Sequence, residues 1–121
     1  MSKLILVVED QEDNRRIMRD LLSSVGYEVI EAVTGEEGVA AADTHRPDLI
    51  LMDIQLPGLD GYEATRQIKA NPELEHIPII VVTSYALSGD DVKAFEAGCN
   101  AYVSKPFSPR ELLAKIREYV S

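Results

Sequence analysis

Leu49-Ile50-Leu51-Met52-Asp53 is the stretch that decides how this chain folds. Four apolar residues are too few for a helix, and they carry no polar alternation. Such a run is the mark of a strand buried on both faces of a parallel sheet. It ends on an acid, and Ile54-Gln55-Leu56-Pro57-Gly58 then breaks into a loop. The same form recurs on both sides. Leu4-Ile5-Leu6-Val7-Val8 runs into Glu9-Asp10, Pro78 opens Ile79–Val82 ahead of Thr83-Ser84, and Ala101-Tyr102-Val103 leads to Lys105-Pro106. Glu28–Ala32 alternates and predicts a weaker, edge strand.

Helical patterns lie between these runs. Met18, Leu21, Leu22 and Val25 share one helical face, and Gly26 stops that helix. Thr34-Gly35-Glu36-Glu37 is a capping box for an alanine-rich helix to about Thr44. Asp60-Gly61-Tyr62-Glu63 predicts the cap of a third helix. Ser88 with Asp91 would cap a short fourth one carrying Val92 and Phe95, ended by Gly98. Ser108-Pro109-Arg110-Glu111 combines a cap, a proline at the first helical position and a glutamate at the third. Leu112, Ile116 and Tyr119 give that last helix an apolar face. Strands alternating with helices predict an α/β fold, a doubly wound parallel sheet with helices on both faces. Residues 1–121 are expected to form one domain.

Composition narrows the function. The chain carries 21 acids against 12 basic residues, a net charge of -9. No basic block supplies phosphate contacts, so direct binding to nucleic acid or an anionic membrane is not expected. Cys99 is the one cysteine, which fits a reducing, cytoplasmic setting and excludes an internal disulfide. The N-terminus lacks the shape of a signal peptide, and no apolar stretch approaches the roughly 20 residues that span a bilayer. Cys99 reads as a small buried hydrophobe, with no basic neighbour in sequence to activate it. His45 and His76 lack metal-ligand spacing.

The chemistry lies at the strand ends. In a parallel sheet these share one edge, where ligands bind. Glu9, Asp10, Asp53, Thr83 and Lys105 all fall there. An acid pair by itself often does no more than favour the positive end of a helix. A third acid on another strand changes that, because gathered carboxylates repel unless a cation sits among them. Mg²⁺ takes one or two carboxylates and otherwise keeps water or phosphate oxygens. Asp53 would then be a nucleophile that forms an acyl phosphate, with Thr83 as a hydroxyl donor and Lys105 as a point charge for phosphate.

Taken jointly, Val8-Glu9-Asp10, Leu51 through Gly61, Val82-Thr83-Ser84 and Ala101 through Phe107 resemble the receiver domain of two-component response regulators. The resemblance covers Leu4 through the final helix. It implies a flavodoxin-like sheet of order 2-1-3-4-5 and a Mg²⁺-dependent phosphoryl transfer onto Asp53. The donor would be a sensor histidine kinase or a histidine phosphotransfer protein. It further implies Glu9, Asp10, Asp53 and the Gln55 backbone carbonyl as the metal set, and Thr83 and Tyr102 as switch residues. Lys105 would contact the phosphate, and Pro106 would follow a cis bond. Glu9 stands where many members have aspartate, so its longer side chain is expected to reach the metal through water. Glu36 and Glu37 match no functional position and read as caps and solvated surface.

An aspartyl phosphatase resembling the haloacid dehalogenases would need an acid two residues after its nucleophile. Gln55 stands there, and Glu12 after Asp10 is a weak match. A nucleotide or flavin binder would want a glycine-bearing cradle, and Glu9-Asp10-Gln11-Glu12-Asp13 is acidic and glycine-free. A degenerate receiver would lack residues that this chain has. Within the family, His76-Ile77-Pro78, Thr83 through Asp90 and Gly98 through Tyr102 resemble single-domain receivers that regulate cell-division and cell-fate kinases. Gln55 and Tyr85 flank the expected site and would tune how long the phosphoryl group lasts.

Overall fold

The strands β1 (Leu4–Val8), β2 (Glu28–Ala32), β3 (Leu49–Asp53), β4 (Ile79–Thr83) and β5 (Ala101–Ser104) pair in parallel in the order β2-β1-β3-β4-β5. They alternate with α1 (Glu12–Ser24), α2 (Gly35–His45), α3 (Gly61–Ala70), α4 (Asp90–Glu96) and α5 (Pro109–Arg117). This computed structural model describes residues 2–83 and 90–120, without the side chains of 90 and 91.

Alternation along each strand divides the core in two. Ile5, Val7, Leu49, Leu51, Ile80 and Val82 face one side, where Met18 and Leu22 of α1 and Leu112 and Ile116 of α5 cover them. Leu6, Val8, Ile50, Met52, Ile79 and Val81 face the other, under Ala42 of α2, Ala64 and Ile68 of α3, and Ala94 of α4. Burial on both faces is why β1, β3 and β4 are continuously apolar. Each buried Leu, Ile or Val side chain stabilises the fold by about 1.5–3 kcal/mol relative to exposure. β2, the alternating strand, lies at an edge with Glu28 and Glu31 exposed.

The helix starts follow their capping residues. The side chains of Thr34, Asp60 and Ser108 accept from the amides of Glu37, Glu63 and Glu111. Gly26, at φ +95°, turns the chain out of α1, a conformation that costs other residues energy.

Two helices pack in ways that their apolar residues alone do not show. Val92 and Phe95 of α4 are 56% and 50% exposed, and the small residue Ala94 makes the buried contact instead. Tyr119 lies beyond the end of α5, and its hydroxyl donates to the Asn100 carbonyl at 3.0 Å. The Ser88–Asp91 cap falls outside the described residues and side chains.

Candidate functional site

The chain leaves β1 toward β2 on one side and reaches β3 on the other, so β1 and β3 flank the topological switch point, where doubly wound sheets bind their ligands. Val8 pairs with Met52, which brings Glu9, one residue further, beside Asp53. One carboxylate oxygen each from Glu9, Asp10 and Asp53 lie within 4.8 Å of one another. Asp10 and Asp53 line an open cleft of about 380 Å³, together with Gln11, Asn14, Gln55 and Lys105.

Lys105 crosses the sheet edge to reach this cluster. Its Nζ lies 3.0 Å from Glu9 Oε1 and 3.0 Å from Asp53 Oδ2. The backbone supports the same groups. The Gln55 amide donates to Asp53 Oδ1 at 3.1 Å, and the Gln11 amide to Glu9 Oε2 at 3.2 Å. The Lys105–Pro106 peptide bond is cis, and the Lys105 amide donates to the Thr83 carbonyl at 2.7 Å. Thr83 is buried at the end of β4, opposite Ser104 of β5. Tyr102 is half-buried, and its ring meets Phe95 edge-on at 6.3 Å between centroids. Ser84 and Tyr85 lie outside the described residues.

Glu9 has no exposed surface at all, and Asp53 has 6%. Burial raises the Glu9 carboxyl from its usual 4.5 to about 7, helped by its hydrogen bond to Asp53 and the charge there. Lys105 and the Gln11 amide pull it back only in part. Burial works against the charge on Lys105, but its bonds to Asp53 and Glu9 outweigh that and hold its pKa above the usual lysine value. Cys99 is pushed up to about 11 by burial, although the fold brings Lys69 near enough to oppose this, a basic neighbour not evident from sequence.

The donor set suits a small hard cation. All three side chains offer carboxylate oxygens, and a cationic ammonium already bridges two of them. Besides Gln11, two contributors lie outside the residues singled out from sequence. Asn14 lines the cleft, and Arg15 reaches back from α1 to the Glu9 and Asp10 carbonyls. Their signal was only position, one turn into the helix after the acidic pair. Glu36 is exposed, as its reading as surface implies, and makes one further contact. Its Oε1 accepts from the Leu59 amide at 3.2 Å, tying α2 to the loop that follows Asp53.

A doubly wound parallel sheet of order β2-β1-β3-β4-β5, with an acidic, lysine-bridged cleft at its switch point, places the chain in the class of flavodoxin-like α/β proteins. The family model for the response regulator receiver domain matches residues 5–117, and the chain belongs to that family. It is 46% identical over 120 residues to the polar-differentiation response regulator DivK of Brucella anthropi, covering 99% of this chain and 98% of that one. The receiver domain of a sensor histidine kinase from Pseudomonas aeruginosa, solved with a magnesium ion in its active-site cleft, is 40% identical. It superposes with a TM-score of 0.93 over 98% of each chain. The Vibrio cholerae chemotaxis protein CheY4 superposes with a TM-score of 0.93 at 26% identity, over 99% of this chain and 100% of that one. The protein is therefore a receiver of two-component signalling, a family whose function is to accept a phosphoryl group and act as a switch.

Proposed function

We propose that Asp53 is the phosphoacceptor and that residues 1–121 form one cytoplasmic receiver domain. The observation that carries this is the Lys105 ammonium bridging Glu9 and Asp53 beside Asp10, at the open edge of the sheet. An Asp53 carboxylate oxygen attacks the phosphorus of a phosphohistidine on a sensor kinase or phosphotransfer protein. The new P–O bond forms as the P–N bond breaks, and the imidazole nitrogen keeps the electron pair. Bound Mg²⁺ would offset the charge that accumulates between carboxylate and phosphate.

The residues divide the remaining work. Asp10, Asp53 and the Gln55 carbonyl would hold the cation. Glu9, buried beneath the cleft rather than lining it, would act through water. Lys105 exchanges a carboxylate contact for a phosphoryl oxygen. The Thr83 hydroxyl donates to another, and Tyr102 moves into the space that Thr83 vacates. That reshapes the surface formed by α4, β5 and α5 for a partner protein. The only reactions catalysed are the chain's own phosphoryl uptake and hydrolysis. The likeness to the polar-differentiation response regulator DivK supports a role in polar differentiation, and the resemblance of His76 through Tyr102 to receivers that regulate cell-division and cell-fate kinases suggests kinases as its partners.

Intact mass tests the acceptor directly, after incubation with a small-molecule phosphodonor, with and without Mg²⁺, on wild type and Asp53→Asn. One phosphoryl adduct that needs both Mg²⁺ and Asp53 is expected. An adduct that persists in Asp53→Asn overturns the assignment.

A further inference from the structure

The helix after the acidic pair has no side-chain cap. Gln11 occupies the N-cap of α1 without making that bond, unlike the capping residues of α2, α3 and α5. Arg15 fastens this junction instead. Its Nη1 donates to the Glu9 carbonyl at 3.0 Å and to the Asp10 carbonyl at 3.1 Å. Its Nε lies 3.3 Å from Glu31 Oε1 on β2, and the Arg15 side chain is only 16% exposed. Arg19 holds the other oxygen of Glu31 at 3.2 Å.

One guanidinium therefore grips two consecutive carbonyls just past the end of β1 while a second strand anchors it. A peptide plane held through its carbonyl fixes the direction in which the flanking side chains leave the backbone. The two residues so fixed are Glu9, turned inward to Lys105, and Asp10, at the cleft. The planar fork is what makes this possible, because an ammonium offers no fixed geometry to match two acceptors and a carboxylate.

We infer that Arg15 is a positioning residue for the acidic pair and that it sets the affinity for Mg²⁺ without touching the ion. This rests on the proposed Mg²⁺ site at Asp10, Asp53 and Gln55. The inference has a sign that distinguishes it from plain electrostatics. A positive charge near a cation site repels the cation, so by Coulomb's law alone Arg15→Met should bind Mg²⁺ more tightly. Loss of positioning should make it bind more weakly. Partners that orient metal ligands typically contribute about 10- to 100-fold in affinity.

Calorimetric titration of MgCl₂ into the full chain at fixed ionic strength decides between them, with thermal melts as the check on folding. Arg15→Met is expected to weaken Mg²⁺ binding about 10-fold or more. Arg15→Lys, which keeps the charge but not the fork, is expected to recover only part of this, and it serves as the main variant if Arg15→Met does not fold. Phosphoryl uptake should need more Mg²⁺ for half its maximal rate in either variant, while the rate at saturating Mg²⁺ stays near wild type. Unchanged or tighter Mg²⁺ binding in Arg15→Met, or wild-type affinity in Arg15→Lys, overturns the inference alone. Absence of Mg²⁺ binding in the wild-type protein overturns the metal site itself, and this inference falls with it.

Discussion

Lys105 Nζ lies 3.0 Å from Glu9 Oε1, and that carboxylate is completely shielded from solvent. The ammonium does not fully offset the cost of burying it, since Glu9 still titrates at about 7 against its usual 4.5. A carboxyl whose folded pKa is raised favours folding in its protonated form. Its contribution is complete below the unfolded value and is lost as pH rises through the folded one. In chelator, the melting temperature of wild type measured against Glu9→Gln should therefore fall between about pH 4.5 and 7 and level off above that. A difference that stays flat across this window would place the Glu9 titration elsewhere.

Replacing Lys105 extends the same argument. Lys105 is one of the two groups that lower the Glu9 pKa, so Lys105→Met should move it above 7. Leaving a buried acceptor without its donor costs about 1–3 kcal/mol. That loss should be larger above neutrality, where Glu9 must carry charge, than at lower pH, where it is protonated. Urea midpoints for the metal-free variant at two pH values on either side of 7 measure it. An equal loss at both would mean that Lys105 stabilises the fold through packing rather than charge.

Gly61 controls the other end of the site. A Cβ built there would collide with the Asp53 carbonyl and come within 2.7 Å of the Ile54 Cα, both backbone atoms that cannot swing aside. The first turn of α3 lies directly on the strand end that carries Asp53. Gly61→Ala should destabilise the protein by about 1–3 kcal/mol, the usual range for overpacking. Because the Gln55 amide donates to Asp53 Oδ1 from the same loop, the variant should also take up phosphoryl groups more slowly. Wild-type stability would show that the loop can shift, and would remove Gly61 as a constraint on Asp53.

Short-range pattern accounts for the features that were legible in the sequence. Continuous apolar runs marked β1, β3 and β4 because burial on both faces leaves no room for alternation. Thr34, Asp60 and Ser108 marked helix starts because a cap acts over three residues. Glu9, Asp10, Asp53 and Lys105 were recognisable because parallel topology carries every strand end to one edge. The features that escaped depend on the path of long side chains between elements. Glu36 spans 23 residues in sequence to meet Leu59, and Lys69 comes near Cys99. Arg15 bonds backbone carbonyls, which carry no residue-specific signal. Phe95 fits an inward helical face by spacing alone, yet α4 packs through Ala94 and turns Phe95 outward onto Tyr102.

That outward pair gives the switch its test. Thr83 is buried at the end of β4, and its carbonyl accepts from the amide of Lys105, so a single backbone hydrogen bond joins the hydroxyl-bearing strand end to the lysine. Tyr102 lies one strand over, half-buried, with its ring against Phe95 on α4. If phosphate on Asp53 draws the Thr83 hydroxyl inward, Tyr102 follows and the Phe95 contact changes. Moving such an equilibrium from 1:99 to 99:1 takes about 5.5 kcal/mol of differential stabilisation, and each broken link removes part of it. Thr83→Ala should therefore accept phosphoryl groups at Asp53 nearly as wild type does, yet show little of the wild-type shift in the Tyr102 ring resonances on phosphorylation. Phe95→Ala should take up phosphate and keep the Thr83 response, but alter the Tyr102 resonances even before phosphorylation. If Thr83→Ala retains the full phosphorylation-dependent shift at Tyr102, the two residues are not coupled through the hydroxyl, and the signal reaches α4 by another route.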